Sequence, residues 1–363
     1  MHETINIISK KYKLMVVGPK HCLWYRNGRV YVSDDVDCSE IYMATDLSGE
    51  DGPCFAGHLL RSYKITQRVL RLEPRSCIKA GEGQYCFAYN HKIYIIDEIG
   101  RIINSTTIRK EMRNPLQIIL LNGIEGFQDT IYYGEYGWNN NRGPVHIMQF
   151  NDGVWNPAYT FPQNTICHIH ALIPDLNGKC VYILTGDRDN ESGIWKATDG
   201  FKKVEPIFWG KQKYRTCAGC LKNGELLYAT DTPIEKNYLF KTDLQSEPEA
   251  IGELPGSVIN SIYENDEWWF ATAVEQDPDM PKLMHYISSK RGPGIADRYS
   301  HLYRMNMTGE TREILRFKKD ILPMWLFQFG NISFIHNYRD NRIFIYPIAV
   351  KKYNQKTLEI KVK

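Results

Sequence analysis

Four carboxylates occupy similar places along the chain, each shortly after an apolar, strand-like run. Glu135, Asp187 and Asp231 each follow such a run by one small residue, and Glu275 follows a later run at a short distance. If the runs are equivalent strands of a repeating structure, these carboxylates face one another. Like charges held close together raise the pKa of at least one group, so two carboxyls can supply an acid and a base. Glycosidases use such a pair, so we predict all four as catalytic candidates, with Glu135 and Asp187 first.

Two histidines form a second candidate site. His168 and His170 lie in residues 165–172, where a strand would place both imidazoles on one face and the three apolar residues around them on the other. Two such histidines can bind a divalent metal, or act as a proton donor and acceptor. Further metal ligands would come from other strands, for example Asp187 or Glu135. The alternative is a pair of polar-face histidines that bind nothing.

Several residues are candidates for substrate binding. Arg142 and Arg215 can each grip a carboxylate, because the guanidinium fork matches its geometry. The alternative for these two and for Arg188 is an ion pair with one of the candidate acids. Tyr238 could act as a nucleophile or acid, although a core or stacking role is the alternative. Its neighbour Asn237 belongs to the same candidate surface.

A repeated unit must position these side chains. About seven times, an apolar or aromatic strand ends in a small or acidic residue, and a second strand then closes on a turn with Asp, Asn or Gly; the clearest copy covers residues 181–200. Such units of roughly 40–60 residues are typical of propeller blades. We therefore predict an all-β fold in which residues 1–363 form a single β-propeller of seven blades, with six as the alternative. The last strand, residues 357–362, is predicted to pair with the N-terminal region and close the ring.

Two insertions interrupt the regular spacing, at residues 49–72 and 276–298. Long ordered loops on a rigid scaffold tend to carry function. A surface insertion with no role is the alternative for both.

Composition excludes several classes of protein. The net charge of +3 over 363 residues, without a long run of Lys and Arg, argues against nucleic-acid binding. No stretch approaches the roughly 20 apolar residues that span a bilayer, and no signal peptide is evident. The nine cysteines are odd in number and scattered, unlike a disulfide framework, and the lone Cys217-x-x-Cys220 pair is interpreted as structural. These features favour a cytoplasmic location.

Residues 194–201 (IWKATDGF) resemble the Asp-box of the sialidase-like, or BNR-repeat, propellers. This copy keeps the strand and Asp199, and residues 148–155 form a second degenerate copy with Asp152 and Trp155. Residues 133–328 are also similar to an uncharacterised bacterial branch of that group. The resemblance implies a propeller with degenerate Asp-boxes, whose aspartates stabilise outer hairpin turns, and it implies glycan chemistry. The Arg-Ile-Pro motif that usually supplies one of the three sialidase arginines is missing.

Together these features predict a carbohydrate-active propeller, most simply a glycoside hydrolase-like enzyme that acts on an acidic or complex glycan through carboxylates at the central channel. One alternative is a metal-assisted uronate lyase in which His168 or His170 abstracts a proton. The other is a non-catalytic propeller that binds a glycan or a protein. No cofactor is required by the first hypothesis, whereas a divalent metal belongs to the second.

Overall fold

The protein is a seven-bladed β-propeller. The computed structural model describes residues 4–37, 40–47, 63–306 and 308–361, and arranges them in seven antiparallel sheets of four strands. This confirms the predicted all-β propeller and its blade number. In blades 1 to 6 the strands continue outward from the inner strand in chain order, whereas β1 completes blade 7.

The strands have the following bounds. Blades 1 to 3 contain β2–β5 (Lys13–Val17, Cys22–Arg26, Arg29–Ser33, Tyr42–Asp46), β6–β9 (Arg75–Gly81, Gln84–Tyr89, Lys92–Asp97, Ile102–Thr107) and β10–β13 (Ile118–Leu120, Ile131–Gly134, Val145–Asn151, Val154–Phe161). Blades 4 and 5 contain β14–β17 (His168–Asp175, Cys180–Gly186, Gly193–Thr198, Lys203–Trp209) and β18–β21 (Thr216–Lys222, Glu225–Thr230, Asn237–Thr242, Glu249–Leu254). Blades 6 and 7 contain β22–β25 (Val258–Glu264, Glu267–Thr272, Tyr299–Met305, Thr311–Lys318) and β26–β28 (Asn331–Ile335, Ile343–Ile348, Thr357–Lys361), and β1 is Thr4–Ser9.

The core lies between the faces of adjacent blades. Strand β15, the second strand of blade 4, is buried along its whole length, whereas the outermost strand of blade 5, β21, is exposed at every position except Leu254. Apolar side chains on both faces of the middle strands therefore pack against the blades on either side. Radial stacking buries these faces and keeps the exposed edges short.

The two ends of the chain meet in blade 7. Strand β1 is the outermost strand of that blade and pairs antiparallel with β28, from Thr4 opposite Lys361 to Ser9 opposite Thr357. This confirms that the last strand closes the ring with the N-terminal region, although Val362 of the predicted strand lies outside the described residues. The ring is thus held closed by backbone hydrogen bonds between distant parts of the chain.

A recurrent irregularity shapes the inner strands. In blades 1, 4, 5 and 6 the pairing of the first two strands skips one residue near the start of the inner strand; the skipped residues are Met15, His170, Cys217 and Ile259. Such a β-bulge re-aims the side chain of the extra residue. In each of these four blades, the side chain of the extra residue therefore departs from the alternating pattern of the strand, at the same end of the channel.

Three short helices gather at that end. They are α1 (Lys64–Leu70), α2 (Lys282–Ile287) and α3 (Met324–Phe327), and they come from the two predicted insertions and from the loop before blade 7. The buried Arg68 of α1 donates to the carbonyl of Phe327 and pairs with Asp320 at 2.6 Å. Residues 49–62 of the first insertion lie outside the described residues. Within the described ranges, no helix has the length and hydropathy needed to cross a membrane.

Candidate functional site

A central channel of about 2640 Å³ runs between the inner strands. At one end the inner strands begin and the second strands finish, so the residues that follow the second strands collect there. These include Asp187, Asp231 and Glu275, together with the histidines at the start of β14. The helices α1, α2 and α3 border the same end. We call this region the channel-end site.

Three of the four predicted carboxylates converge around Arg215, which lies between blades 4 and 5. Arg215 Nη2 is 3.1 Å from Asp187 Oδ1 and 3.6 Å from Asp231 Oδ2, and the charge of Glu275 also acts on this guanidinium. The Asp187 side chain is 42% exposed, whereas that of Asp231 is 5% exposed. Blades 4, 5 and 6 thus each contribute one acid to a common cluster, and Asp187 is the acid most open to the channel.

The carboxyl groups of this cluster differ in protonation. Burial, reinforced by the nearby charge of Asp231, raises the pKa of Glu275 to about 8. Burial alone would also raise the pKa of Asp187, but His168 and Arg215 hold it well below its ordinary value. Their surroundings thus push the pKa values of Glu275 and Asp187 apart, which is the arrangement needed for acid–base catalysis.

Glu135 does not join this cluster. It is 4% exposed, and its Oε2 accepts hydrogen bonds from Arg109 Nη2 and from the backbone N–H of His146, both at 2.8 Å. Burial raises its pKa to about 7 despite these two contacts. The next residue, Tyr136, lines the channel instead. The structure thus corrects the expected pairing of Glu135 with Asp187, because the Glu135 carboxylate is bound by Arg109 of the loop before blade 3 and by the backbone of His146.

The two predicted histidines do lie together, although a bulge at His170 interrupts the regular alternation of β14. His168 Nε2 and His170 Nε2 are 2.9 Å apart, and both residues are 3% exposed. Their Nδ1 atoms contact the carbonyls of Gly137 at 2.7 Å and Thr216 at 2.9 Å. Asp187 Oδ1 lies 3.5 Å from the first Nε2 and 3.6 Å from the second. Two nitrogens and one carboxylate oxygen therefore meet at one point of the channel wall.

The surroundings of the histidines fix their positions. The ring of Tyr136 packs on His168, with 4.4 Å between the centroids. The bulge in β14 orients His170, and the bulge in β18 brings Cys217 to the same wall, where its Sγ lies 3.2 Å from Asp231 Oδ2. Cys217 was interpreted from sequence only as structural. Because a bulge leaves no clear sequence signature here, its approach to the acid cluster was not predictable.

The remaining predicted residues divide between the channel and the blades. Arg142 forms an ion pair with the buried Glu191, and Arg188 is exposed at the channel rim. Tyr238 packs against Phe240 away from the channel. Asn237 is fully buried: its Oδ1 accepts from the Thr232 N–H, and its Nδ2 donates to the carbonyls of Thr232 and Gly294. The structure thus corrects the placement of Tyr238 and Asn237, and Asn237 instead anchors the second insertion.

Three arginines at the channel were missed by sequence analysis. Arg71 follows α1, Arg75 begins β6 and Arg113 precedes blade 3, yet all three border the channel. Burial and the charges of Arg75 and Arg113 lower the pKa of Arg71 to about 10, which shows how close the cationic groups are. Within the described ranges, none of the three forms an ion pair with a carboxylate. The three form a positively charged surface, the arginine cluster, beside Tyr136.

The aspartates in the turns that resemble an Asp-box make different side-chain contacts. Asp199 and Asp152 have positive φ in the hairpins between the third and fourth strands of their blades. The Asp199 carboxylate contacts Lys202 Nζ at 3.3 Å, whereas Asp243 at the equivalent turn of blade 5 accepts from the N–H groups of Gln245 and Ser246. Residues 241–243, a still fainter copy of the Asp-box pattern, thus make turn-amide contacts of the kind that the resemblance implies.

Comparison with known proteins extends no further than the fold. No family model matches the sequence, and no curated protein matches it. The AfRom2 CNH domain aligns over 99% of both chains with a TM-score of 0.53 and 7% identity. A putative TolB from Agrobacterium tumefaciens aligns over 68% of this chain and 82% of its own, with a TM-score of 0.44 and 12% identity. The first similarity supports the propeller architecture, and function must be argued from the channel-end site.

Proposed function

We propose that this protein is a carbohydrate-active enzyme that cleaves a glycosidic bond of an acidic glycan at the channel-end site. The observation that carries the proposal is the convergence of the Asp187, Asp231 and Glu275 carboxyl groups around Arg215 at the open end of the channel, where the pKa of Glu275 is raised and that of Asp187 is lowered. Two carboxyl groups whose surroundings push their pKa values apart are the usual basis for dividing acid and base roles.

In this proposal Glu275 donates its proton to the departing glycosidic oxygen as the carbon–oxygen bond breaks. Asp187 accepts a proton from the water that attacks the sugar carbon, so that the products gain one water between them. Arg215 keeps Asp187 ionised at 3.1 Å. This assignment replaces Glu135 by Glu275 as the partner of Asp187 in the acid–base pair, because Glu275 lies in the channel cluster and Glu135 does not.

An acidic substrate is favoured by the arginine cluster. Arg71, Arg75 and Arg113 present positive charge at the channel without a protein carboxylate to neutralise it in the described residues. A guanidinium group binds carboxylate, sulfate or phosphate through paired hydrogen bonds. Trp138, which is 56% exposed, and Trp325, which is 39% exposed, line the same channel and offer flat surfaces on which sugar rings can stack. Membership of the sialidase-like propellers is part of the same proposal.

The test is a panel of acidic and neutral polysaccharides incubated with the purified protein. New reducing ends without an unsaturated product indicate hydrolysis, whereas ultraviolet absorbance of an unsaturated uronate indicates the lyase alternative. Glu275→Gln is expected to lower the rate by about 10²-fold or more, within the range for loss of a general acid. Glu249→Gln, an exposed glutamate on β21, is the matched control and should retain the wild-type rate. Binding of an acidic glycan without any cleavage would replace the enzyme with a glycan-binding propeller.

A further inference from the structure

The hydrogen bonds of the two histidines determine which of their nitrogens are free. A carbonyl oxygen only accepts hydrogen bonds, so the Nδ1 atoms that contact Gly137 and Thr216 must carry protons. In the neutral form of each ring, Nε2 then has a lone pair and no proton. These two lone pairs face each other at 2.9 Å and repel unless a cation lies between or beside them.

The cation that satisfies this arrangement is either a proton or a metal ion. With Asp187 Oδ1 at 3.5 and 3.6 Å from the two nitrogens, the three atoms form a triangle. One point lies about 2.0 Å from all three atoms, which matches the bond lengths of Zn²⁺ to imidazole nitrogen and carboxylate oxygen. The three interatomic distances of the triangle are therefore compatible with one metal ion.

The environment of the triangle is also that of a metal site. Ligating histidines commonly donate their second ring N–H to a carbonyl or carboxylate, which fixes the ring, and both histidines here do so. The rings are buried, whereas the Asp187 carboxylate is 42% exposed to the channel. One side of the triangle is thus open, as in catalytic zinc sites with three protein ligands and a free position.

The ligand chemistry indicates which cation would fit. Beside the triangle, the carboxyl groups of Asp187 and Asp231 both lie near the guanidinium of Arg215. Arg215 lies 3.1 Å from the same oxygen of Asp187 and opposes a cation, but Asp231 offsets it at 3.6 Å. Two imidazoles and one carboxylate suit first-row transition ions better than Ca²⁺ or Mg²⁺, which take all-oxygen ligand sets.

We propose that His168 Nε2, His170 Nε2 and Asp187 Oδ1 bind one first-row divalent transition metal ion, of the class of Zn²⁺, with an open position toward the channel. Binding displaces the proton that the histidine pair shares in its absence. With the ion bound, Asp187 would be a ligand, and the role of base proposed for it above would pass to a water whose pKa the ion lowers. The metal site does not require the proposed reaction, since the triangle exists whatever the substrate.

The experiment measures metal binding directly. The purified full chain is stripped with chelator, then titrated with Zn²⁺ by calorimetry and with Co²⁺ by visible absorption, which reports coordination by nitrogen and oxygen. The expected result is one ion per chain, with proton release on binding. His168→Ala and Asp187→Asn should each weaken binding at least 10-fold, the minimum expected from loss of a ligand when loss of its hydrogen-bond partner costs 10–100-fold.

Controls distinguish a wrong metal site from a wrong proposed reaction. His336→Ala removes a histidine that faces Glu264 at the other end of the channel and should bind as the wild type does. If His168→Ala does not fold, Asp187→Asn decides, because the Asp187 side chain is partly exposed. A folded wild type that binds neither ion, or an Asp187→Asn variant that binds like the wild type, overturns the metal site. Binding of one ion by a protein that cleaves none of the glycans would support the metal site and contradict the proposed reaction, whereas glycan cleavage that persists in chelator would overturn only a role of the ion in that reaction.

Discussion

Replacing Glu275 by Gln should change how stability depends on pH. Burial beside Asp231 raises the pKa of Glu275 to about 8 from an ordinary 4.5. Between these values the folded protein holds a proton that the unfolded chain has released, so the free energy of unfolding falls as pH rises through this window. Above the pKa that Glu275 has in the folded protein, its carboxylate is ionised, and the free energy of unfolding is lowered by the full cost of burying that charge. At about 1.4 kcal/mol for each pKa unit, that cost is at most about 5 kcal/mol.

Glutamine stays neutral and keeps the shape of the side chain, so Glu275→Gln removes this dependence. We expect the variant to match the wild type near about pH 4 and to become progressively more stable than it up to about pH 8, with a constant difference above that. Urea unfolding at a series of pH values measures the difference. Glu249→Gln, at an exposed position, should follow the wild-type curve throughout. A Glu275→Gln curve parallel to that of the wild type would refute the raised pKa and with it the role of Glu275 as proton donor.

Three further predictions concern the scaffold and the substrate. Asn237→Ala should lower the free energy of unfolding by about 2–4 kcal/mol, because it leaves buried partners such as the Thr232 N–H and Gly294 carbonyl unsatisfied; thermal unfolding measures this. Removing β1 (Thr4–Ser9) should lower the Tm by several degrees, since the edge of β28 is then unpaired. Arg75→Ala should raise KM for an acidic glycan about 10-fold with little change in kcat, because a guanidinium contact of about 1.4 kcal/mol is lost from substrate and transition state alike.

Each of these predictions has its own control. Asn223→Ala, at a turn with positive φ, serves as the control for Asn237→Ala. If both variants lower the free energy of unfolding equally, the anchoring role of Asn237 is contradicted. A Tm that is unchanged without residues 4–9 would contradict closure of the ring by β1. For the substrate, equal losses with acidic and neutral glycans in Arg75→Ala would contradict recognition of negative charge.

The sequence predicts the middle strands of the blades well and the inner strands poorly. Strands β15 and β19 are continuous apolar runs that end at Gly186 and Thr230, so their boundaries are evident. Strand β18 (Thr216–Lys222) contains small, polar and sulfur-containing residues in no clear alternation, because one side faces the channel and a bulge breaks the pattern. The inner strand of blade 5 was therefore missed, although its position could be inferred once the blade was known.

The sequence likewise predicts some residues of the candidate site and misses others. Asp187, Asp231 and Glu275 were found because equivalent positions of successive blades converge, whereas Glu135 occupies an equivalent position but is bound by Arg109, which no sequence rule could identify. The arginine cluster was missed for a different reason. Arg71 lies at the end of the first insertion, Arg75 begins β6 and Arg113 lies in the loop before blade 3, and only the folded propeller brings Arg113 beside the other two.

The central claim is that the acid of this site is Glu275 and not Glu135. On the first acidic polysaccharide that the wild type cleaves, the cleavage rates of Glu275→Gln and Glu135→Gln should be compared side by side at one pH. We predict a loss of about 10²-fold or more for Glu275→Gln and near-wild-type cleavage for Glu135→Gln, whose carboxylate is bound to Arg109 and His146. Full activity in Glu275→Gln with loss in Glu135→Gln would contradict the account.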